Sequence, residues 1–351
     1  MLILGALLVW HCVRGGPEYS ADIKAQSDVT GRMVDSGQAG VVLSEIPPGF
    51  EATGVDTGWI IEQFKLEKVL LDLDTQNLFI TSNDRYKYFL LQMLDEQGWD
   101  DKDIAVIREF IADPRAEFIP RILKINSTHQ ETEELYTHQL TQQSVNRCLR
   151  FWREEGDKVS RAAEPYGIPP EIIIAIMKIE TNFGIDKGKN QIFNVFWTLS
   201  LADHQSVLRN AITEPGEAAD EQRKRLLRRA KWGRSQLYEL VELYRDGNND
   251  WIFWVNGSWA GAFGLPQFIP ASYRSYGRDG NNDARIDLDD ISDAAASIAY
   301  YLKANGWKGK MSRERQKKVI MRYNYSSHYA DAVLALADLI RQNIAKNGDN
   351  G

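Results

Sequence analysis

Two cysteines, Cys12 and Cys148, among 351 residues supply neither a disulfide framework nor a cysteine-based zinc site. The five histidines, His11, His129, His138, His204 and His328, show no close ligand pair and no nucleophile partner. Positive charge is also short: 42 Lys and Arg against 49 Asp and Glu give a net charge of -7 and a pI near 5.4. That balance argues against a broad electrostatic grip on nucleic acid or anionic lipid. No internal repeat and no low-complexity tract is present.

What is there suits a globular enzyme. Hydrophobic residues make up 43% and charged residues 26%, enough for one large domain or two ordinary ones with an ample core. Ten Trp, 14 Tyr and 13 Phe are a generous aromatic supply, most of it destined for the core. Met1 to Trp10 is almost wholly apolar, too short to span a bilayer but long enough for a signal-peptide core, so residues 1–16 read as an export or lipoprotein signal. Cys12 stands where a lipidated cysteine would, although Trp10 and His11 replace the small residues expected before it and the basic start is missing. Residues 17–83 read as an arm or linker, within which Trp59 to Ile80 suits a helix or a strand.

From Arg85 the signals are helical: Tyr86 to Gln97, Lys102 to Ala112, a long stretch from Thr132 to Tyr166, the short apolar run Ile192 to Ala202, then Glu217 to Arg245, Ile291 to Ala304 and Tyr329 to Ile344. The basic run Arg223 to Arg229 reads as a solvated helix face rather than a binding patch.

Three segments carry chemistry. In the first, Pro169 to Gly184, Glu180 shares a helix face with Ile173, Ile176 and Met177, and Gly184 is the expected stop. A carboxylate in the last turn of an apolar helix meets desolvation and the negative end of the helix dipole, both of which favour its protonated form. A proton donor near neutral pH is what glycosidic bond cleavage requires, and the alternative is an ordinary exposed glutamate at a helix end. The second, Asn256 to Tyr273, combines glycines and prolines with Trp259, Phe263, Phe268 and Tyr273 and the uncharged polar groups of Ser258 and Gln267. It suits either a sugar-binding groove or a buried corner between helices. In the third, Asp279, Asn281, Asp283, Asp287 and Asp290 occupy positions 1, 3, 5, 9 and 12 of a calcium loop, with the Arg285 carbonyl at position 7. Ala284 in place of Gly and Asp290 in place of Glu predict weakened affinity, and a lone loop predicts a structural ion; the alternative is an uncomplexed Asp/Asn turn.

Taken together, Tyr166-Gly-Ile-Pro-Pro-Glu-Ile-Ile, Glu180-Thr-Asn-Phe-Gly, Ser258-Trp-Ala-Gly-Ala-Phe-Gly-Leu-Pro-Gln-Phe-Ile-Pro, the Asp279 loop, Tyr301-Leu-Lys-Ala-Asn-Gly-Trp and Arg322-Tyr-Asn-Tyr-Ser-Ser-His-Tyr329 resemble the membrane-bound lytic murein transglycosylase B family, glycoside hydrolase family 103. They stand in the family's order across residues 84–345, with a short tail at 346–351. The resemblance implies a mainly α fold: a lysozyme-like catalytic core with an additional helical subdomain and an EF-hand-like loop. It implies cleavage of the β-1,4 bond between N-acetylmuramic acid and N-acetylglucosamine in peptidoglycan glycan strands, without water, leaving 1,6-anhydromuramoyl ends. Glu180 would act first as acid and then as base, with no cofactor for the chemistry and the substrate's N-acetyl group in place of a second carboxylate. By position, Ser258, Gln267, Tyr301, Tyr323, Asn324 and Tyr329 would contact substrate. The enzyme would work as a monomer in the bacterial periplasm, on strands rather than nucleic acid, with the N-terminus as a candidate outer-membrane anchor. Leu265 departs from the polar or small residue common in such loops, and the arm before residue 84 has no counterpart. Two other readings stay open: a hydrolytic muramidase using Asp186 or Asp203 to activate water, and a non-catalytic peptidoglycan-binding protein.

Overall fold

Several helices in this chain begin at a side-chain cap. Asp100 accepts hydrogen bonds from the backbone N–H groups of Lys102 and Asp103 while the Asp103 carboxylate returns to the Asp100 N–H, a reciprocal capping box. A computed structural model of the chain describes residues 84–129, 132, 134–247 and 250–348. The expected signal, the arm with its Trp59 to Ile80 segment, and Cys12 lie outside the described residues.

The helices are α1 (Asp84–Gln97), α2 (Asp101–Ala112), α3 (Pro120–Thr128), α4 (Glu134–Thr137), α5 (Gln142–Ala163), α6 (Pro170–Thr181), α7 (Ile192–Ser200), α8 (Gln205–Ala211), α9 (Gly216–Gly247), α10 (Pro270–Tyr276), α11 (Ile291–Ala304), α12 (Arg313–Tyr323) and α13 (Ser327–Gly348). Two short strands, β1 (Asn190–Gln191) and β2 (Asn256–Gly257), pair antiparallel. The segment expected to be helical from Thr132 to Tyr166 is broken. A 3₁₀ turn at His138–Leu140 follows α4, and extended Thr141 then caps α5 by accepting the Ser144 N–H. Helices α3 and α10 start on Pro120 and Pro270, whose fixed φ suits a first turn, and are too short to show a sequence period. The expected tail from residue 346 is, as far as Gly348, the end of α13.

The core forms around α7, which is buried along its whole length. Its polar side chains bind neighbouring backbone: Asn194 accepts the Glu117 N–H and Thr198 the Ile119 N–H, each at 2.9 Å. Helix α9 packs against α7 so closely that a Cβ on Gly233 would lie 2.8 Å from the Leu199 Cβ. Beside that contact Arg234 donates to the Ser200 carbonyl at 2.7 Å and forms bidentate pairs with Glu96 and Asp203. Leu226 and Leu237 of α9 are buried while Arg223, Lys224 and Arg228 face solvent as expected of the basic run, but Arg225 turns to the Ser127 and His129 carbonyls and Arg229 lies over the Trp232 ring. Helix α6 lies among α5, α11 and α13.

Arg234 holds two largely buried carboxylates, so Arg234→Ala is expected to cost about 3–5 kcal/mol of unfolding free energy in urea titrations. Lys224→Ala, which breaks an exposed pair with Glu221, leaves the same midpoint unchanged.

Candidate active site

The candidate acid sits where α6 ends. Pro170 occupies the first turn, Glu171 complements the positive helix end, and every residue from Ile172 to Thr181 is buried, because neighbours cover the helix on several sides. Glu180 is only 2% exposed, which removes the reading of an ordinary surface glutamate. The Tyr329 hydroxyl, on α13, donates to Glu180 Oε1 at 2.6 Å.

The helix stops three residues before Gly184. Asn182 (φ 52°) and Phe183 (φ 59°) are both left-handed, a conformation that Asn tolerates and Phe does not favour. Contacts from α5 hold the pair: Arg147 Nη1 donates to Asn182 Oδ1 at 2.7 Å, and the Phe151 ring stacks on Phe183 with centroids 4.1 Å apart. Thr181 ties this end of α6 to the glycine-rich loop, its hydroxyl 3.2 Å from the Leu265 carbonyl.

That loop is a buried corner for most of its length. Phe263, Phe268, Tyr273 and Trp259 are in the core, which favours the buried corner over the groove wall, the two readings left open by the sequence. Ser258 is fully buried and its Oγ accepts the N–H groups of Ala260 and Ala262, which makes it a loop-closing group rather than a surface ready for substrate. Glycine is required at Gly261 (φ 78°), where a Cβ would meet the Phe196 ring at 2.2 Å. Gln267, itself left-handed at φ 51°, donates to the Gly264 and Lys187 carbonyls, while its Oε1 is buried without a partner among the described residues.

Beside the acid lies a column of tyrosines. Tyr323 lies parallel to Tyr329 with centroids 6.4 Å apart, Tyr301 packs on Tyr323 at 4.9 Å, and Tyr136 meets Tyr329 edge-on. The Tyr323 hydroxyl donates to the Pro266 carbonyl and that of Tyr301 to the Arg322 carbonyl, each at 2.5 Å. Burial, and then the nearby Glu180 charge, push the Tyr323 and Tyr329 hydroxyls well above the ordinary tyrosine range, so both stay proton donors. Asn324 caps α12 through its backbone and is 4% exposed. The fold thus brings Glu180, Tyr329, Tyr323 and Tyr301 together in one contact chain.

A cleft of about 390 Å³ opens at Glu180, lined also by Gln139, Arg147, Lys178, Asn182 and Asp186. None of these was singled out as a binding residue from sequence. Lys178 had a signal, a cation inside an apolar helix, whereas Gln139 and Arg147 have none. Of the two carboxylates considered for water activation, Asp203 is locked to Arg234, while Asp186 lines the cleft.

The acidic loop folds on itself. Asp279 accepts the N–H groups of Asn282, Asp283 and Ala284, and Ala284 takes the left-handed conformation (φ 68°) for which a glycine was expected. Asp290 caps α11 instead of turning inward, which removes it from the expected ligand set. The carboxylate that does reach back is Asp293, fully buried and accepting from Gly280, Asn281 and Asp287. Among the described residues no three His, Cys, Asp or Glu side chains are grouped as metal ligands.

Comparison with known proteins agrees with this geometry. The model of the Transglycosylase SLT domain family matches residues 83–316. The membrane-bound lytic murein transglycosylase B of Escherichia coli K12 is 34% identical over 168 residues, 48% of this chain and 40% of that protein, so the chain spans well under two thirds of that relative. Soluble lytic transglycosylase SltB1 from Pseudomonas aeruginosa has the same fold at a TM-score of 0.58 and 24% identity, over 74% of this chain and 98% of that one. E. coli lytic transglycosylase Slt35, solved in complex with calcium, matches at a TM-score of 0.57 and 24% identity, over 76% and 95% of the two chains. These likenesses bear out the mainly helical, lysozyme-like fold and the family resemblance: the chain belongs to the Transglycosylase SLT domain family.

Proposed function

We propose that this protein is a peptidoglycan lytic transglycosylase. The observation that carries the proposal is Glu180: a carboxyl 2% exposed, opening on a cleft and fixed by Tyr329. With Oε1 held as an acceptor, the transferable proton belongs on Oε2. It passes to the glycosidic oxygen as the bond from C1 of N-acetylmuramic acid breaks. The carboxylate then removes the proton from the O6 hydroxyl of the same sugar, and O6 bonds to C1. Glu180 ends the cycle protonated and no water enters. The substrate's N-acetyl group stabilises the positive centre. Gln267 and Asn324 orient substrate, and Tyr323 and Tyr301 shape the wall behind Tyr329. Because Ser258 closes the loop internally, its part is to hold Gln267 in place.

Asp186 favours one second reading, hydrolysis, since it is another carboxylate on the same cleft. Product masses separate the two: transglycosylation gives anhydro ends and hydrolysis gives products heavier by one water.

No helix among the described residues is long and apolar enough to cross a membrane, and the E. coli relative is named as membrane-bound. We infer action in the cell envelope on glycan strands. We also infer a structural calcium ion near Asp279, supported by the order of Asp279, Asn281, Asp283 and Asp287 and by the calcium complex of Slt35.

Digestion of purified sacculi is expected to release anhydromuropeptides, and Glu180→Gln to lower the rate by about 10²–10⁴-fold or more, followed by mass spectrometry. Tyr329→Phe removes a donor that stabilises the charged carboxylate, so the alkaline limb of the pH–rate profile should move upward. Calcium at tenfold its Kd should add about 1.4 kcal/mol, a rise of roughly 3–6 °C in Tm that Asp279→Ala abolishes; an unchanged melt removes the ion.

A further inference from the structure

Lys178 is a buried cation without a counter-ion. It is 6% exposed, lines the cleft that holds Glu180, and makes one hydrogen bond, from Nζ to Gln139 Oε1 at 2.9 Å. No carboxylate among the described residues pairs with it. Arg147, half-buried on the same cleft, is likewise bonded to a neutral amide, Asn182 Oδ1. Asn182 in turn reaches the one other acid of the lining, Asp186, only at 3.4 Å. Two cations beside the catalytic carboxyl, both engaged by amides instead of acids, are unusual because burial disfavours an unpaired charge. Burial foremost pushes its ammonium below the ordinary lysine range, with Arg147 adding to that and Cys148 and Asp186 opposing it.

We propose that Lys178, assisted by Arg147, forms a subsite for a carboxylate of the glycan substrate, the ligand supplying the missing counter-charge. An ammonium with donors to spare next to a planar guanidinium fits a carboxylate better than a neutral hydroxyl. The inference rests on the glycan reading above, because muramic acid carries such a group from two sources. Its lactyl carboxylate is free where strands are stripped of peptide, and stem peptides carry carboxylates where they are not. Gln139 then orients the ammonium, and Asn182, held by Arg147, couples the subsite to the end of the helix that bears Glu180.

The test is a binding measurement that needs no turnover. Soluble N-acetylglucosaminyl–N-acetylmuramic acid oligomers are titrated calorimetrically into the Glu180→Gln protein and into Glu180→Gln/Lys178→Met. Each oligomer is used with its carboxylates free and as methylamides, both without and with stem peptides. The free acid is expected to bind about tenfold tighter than its methylamide when Lys178 is present, and equally when it is not. Preference confined to the bare oligomers assigns the lactyl group, and preference confined to the peptide-bearing ones assigns the stem. Equal affinity for acid and amide in the Lys178 protein, a preference that survives Lys178→Met, or no binding at all would overturn the proposal. Should Lys178→Met unfold, the acid-to-amide ratio in the Lys178 protein still decides, with Lys178→Arg as the variant that keeps the charge. Sacculus digestion by the wild type tests the transglycosylase reading separately.

Discussion

The hydrogen bond from Tyr329 to Glu180 is the contact on which the site depends. It joins two helices distant in sequence, α13 and α6, and fixes a carboxyl that is almost wholly withdrawn from water. Burial of a carboxyl is costly unless it is protonated or bonded. Here the Tyr329 hydroxyl supplies a hydrogen-bond donor to it. Tyr329 can serve because its own burial keeps its proton on. Tyr323, stacked parallel to it, links the pair to the Pro266 carbonyl and so to the glycine-rich loop.

Around this contact the chain accepts local strain. Asn182, Phe183 and Gln267 are all left-handed, and all lie within a few residues of Glu180 or on the loop joined to it through Thr181. Such backbone persists only where packing over-determines it, and each has such support: Arg147 on Asn182, Phe151 on Phe183, the Phe263–Phe268 bridge around Gln267. Close helix packing and a buried ion cluster lie elsewhere, in the α7–α9 interface and around Arg234.

Much of the fold was legible in the residues. The apolar period placed α2, α7, α9 and α11 to within a residue or two, since each has an apolar stripe and a recognisable stop. The break at Thr141 was not, because a single capping threonine outweighs the surrounding helical period only when the next helix packs. The aromatic residues of the loop left two readings open, a sugar platform or a buried corner, and it is burial rather than residue type that decides for the corner between helices. Asp290 misled. Its spacing fits a ligand, but the nearest unsatisfied N–H groups are those at the start of α11, and a carboxylate at that position caps them.

The sequence by itself determined the candidate acid, the order of motifs around it and hence the family, because these are matters of residue identity and spacing. The tertiary structure decided which groups meet it. The parallel Tyr329 and Tyr323, the inward Ser258 and the cleft that sets Lys178 and Arg147 beside Glu180 join positions far apart in the chain. Only packing brings them together, since proximity between distant segments is set by how helices bury their faces and no local period records it.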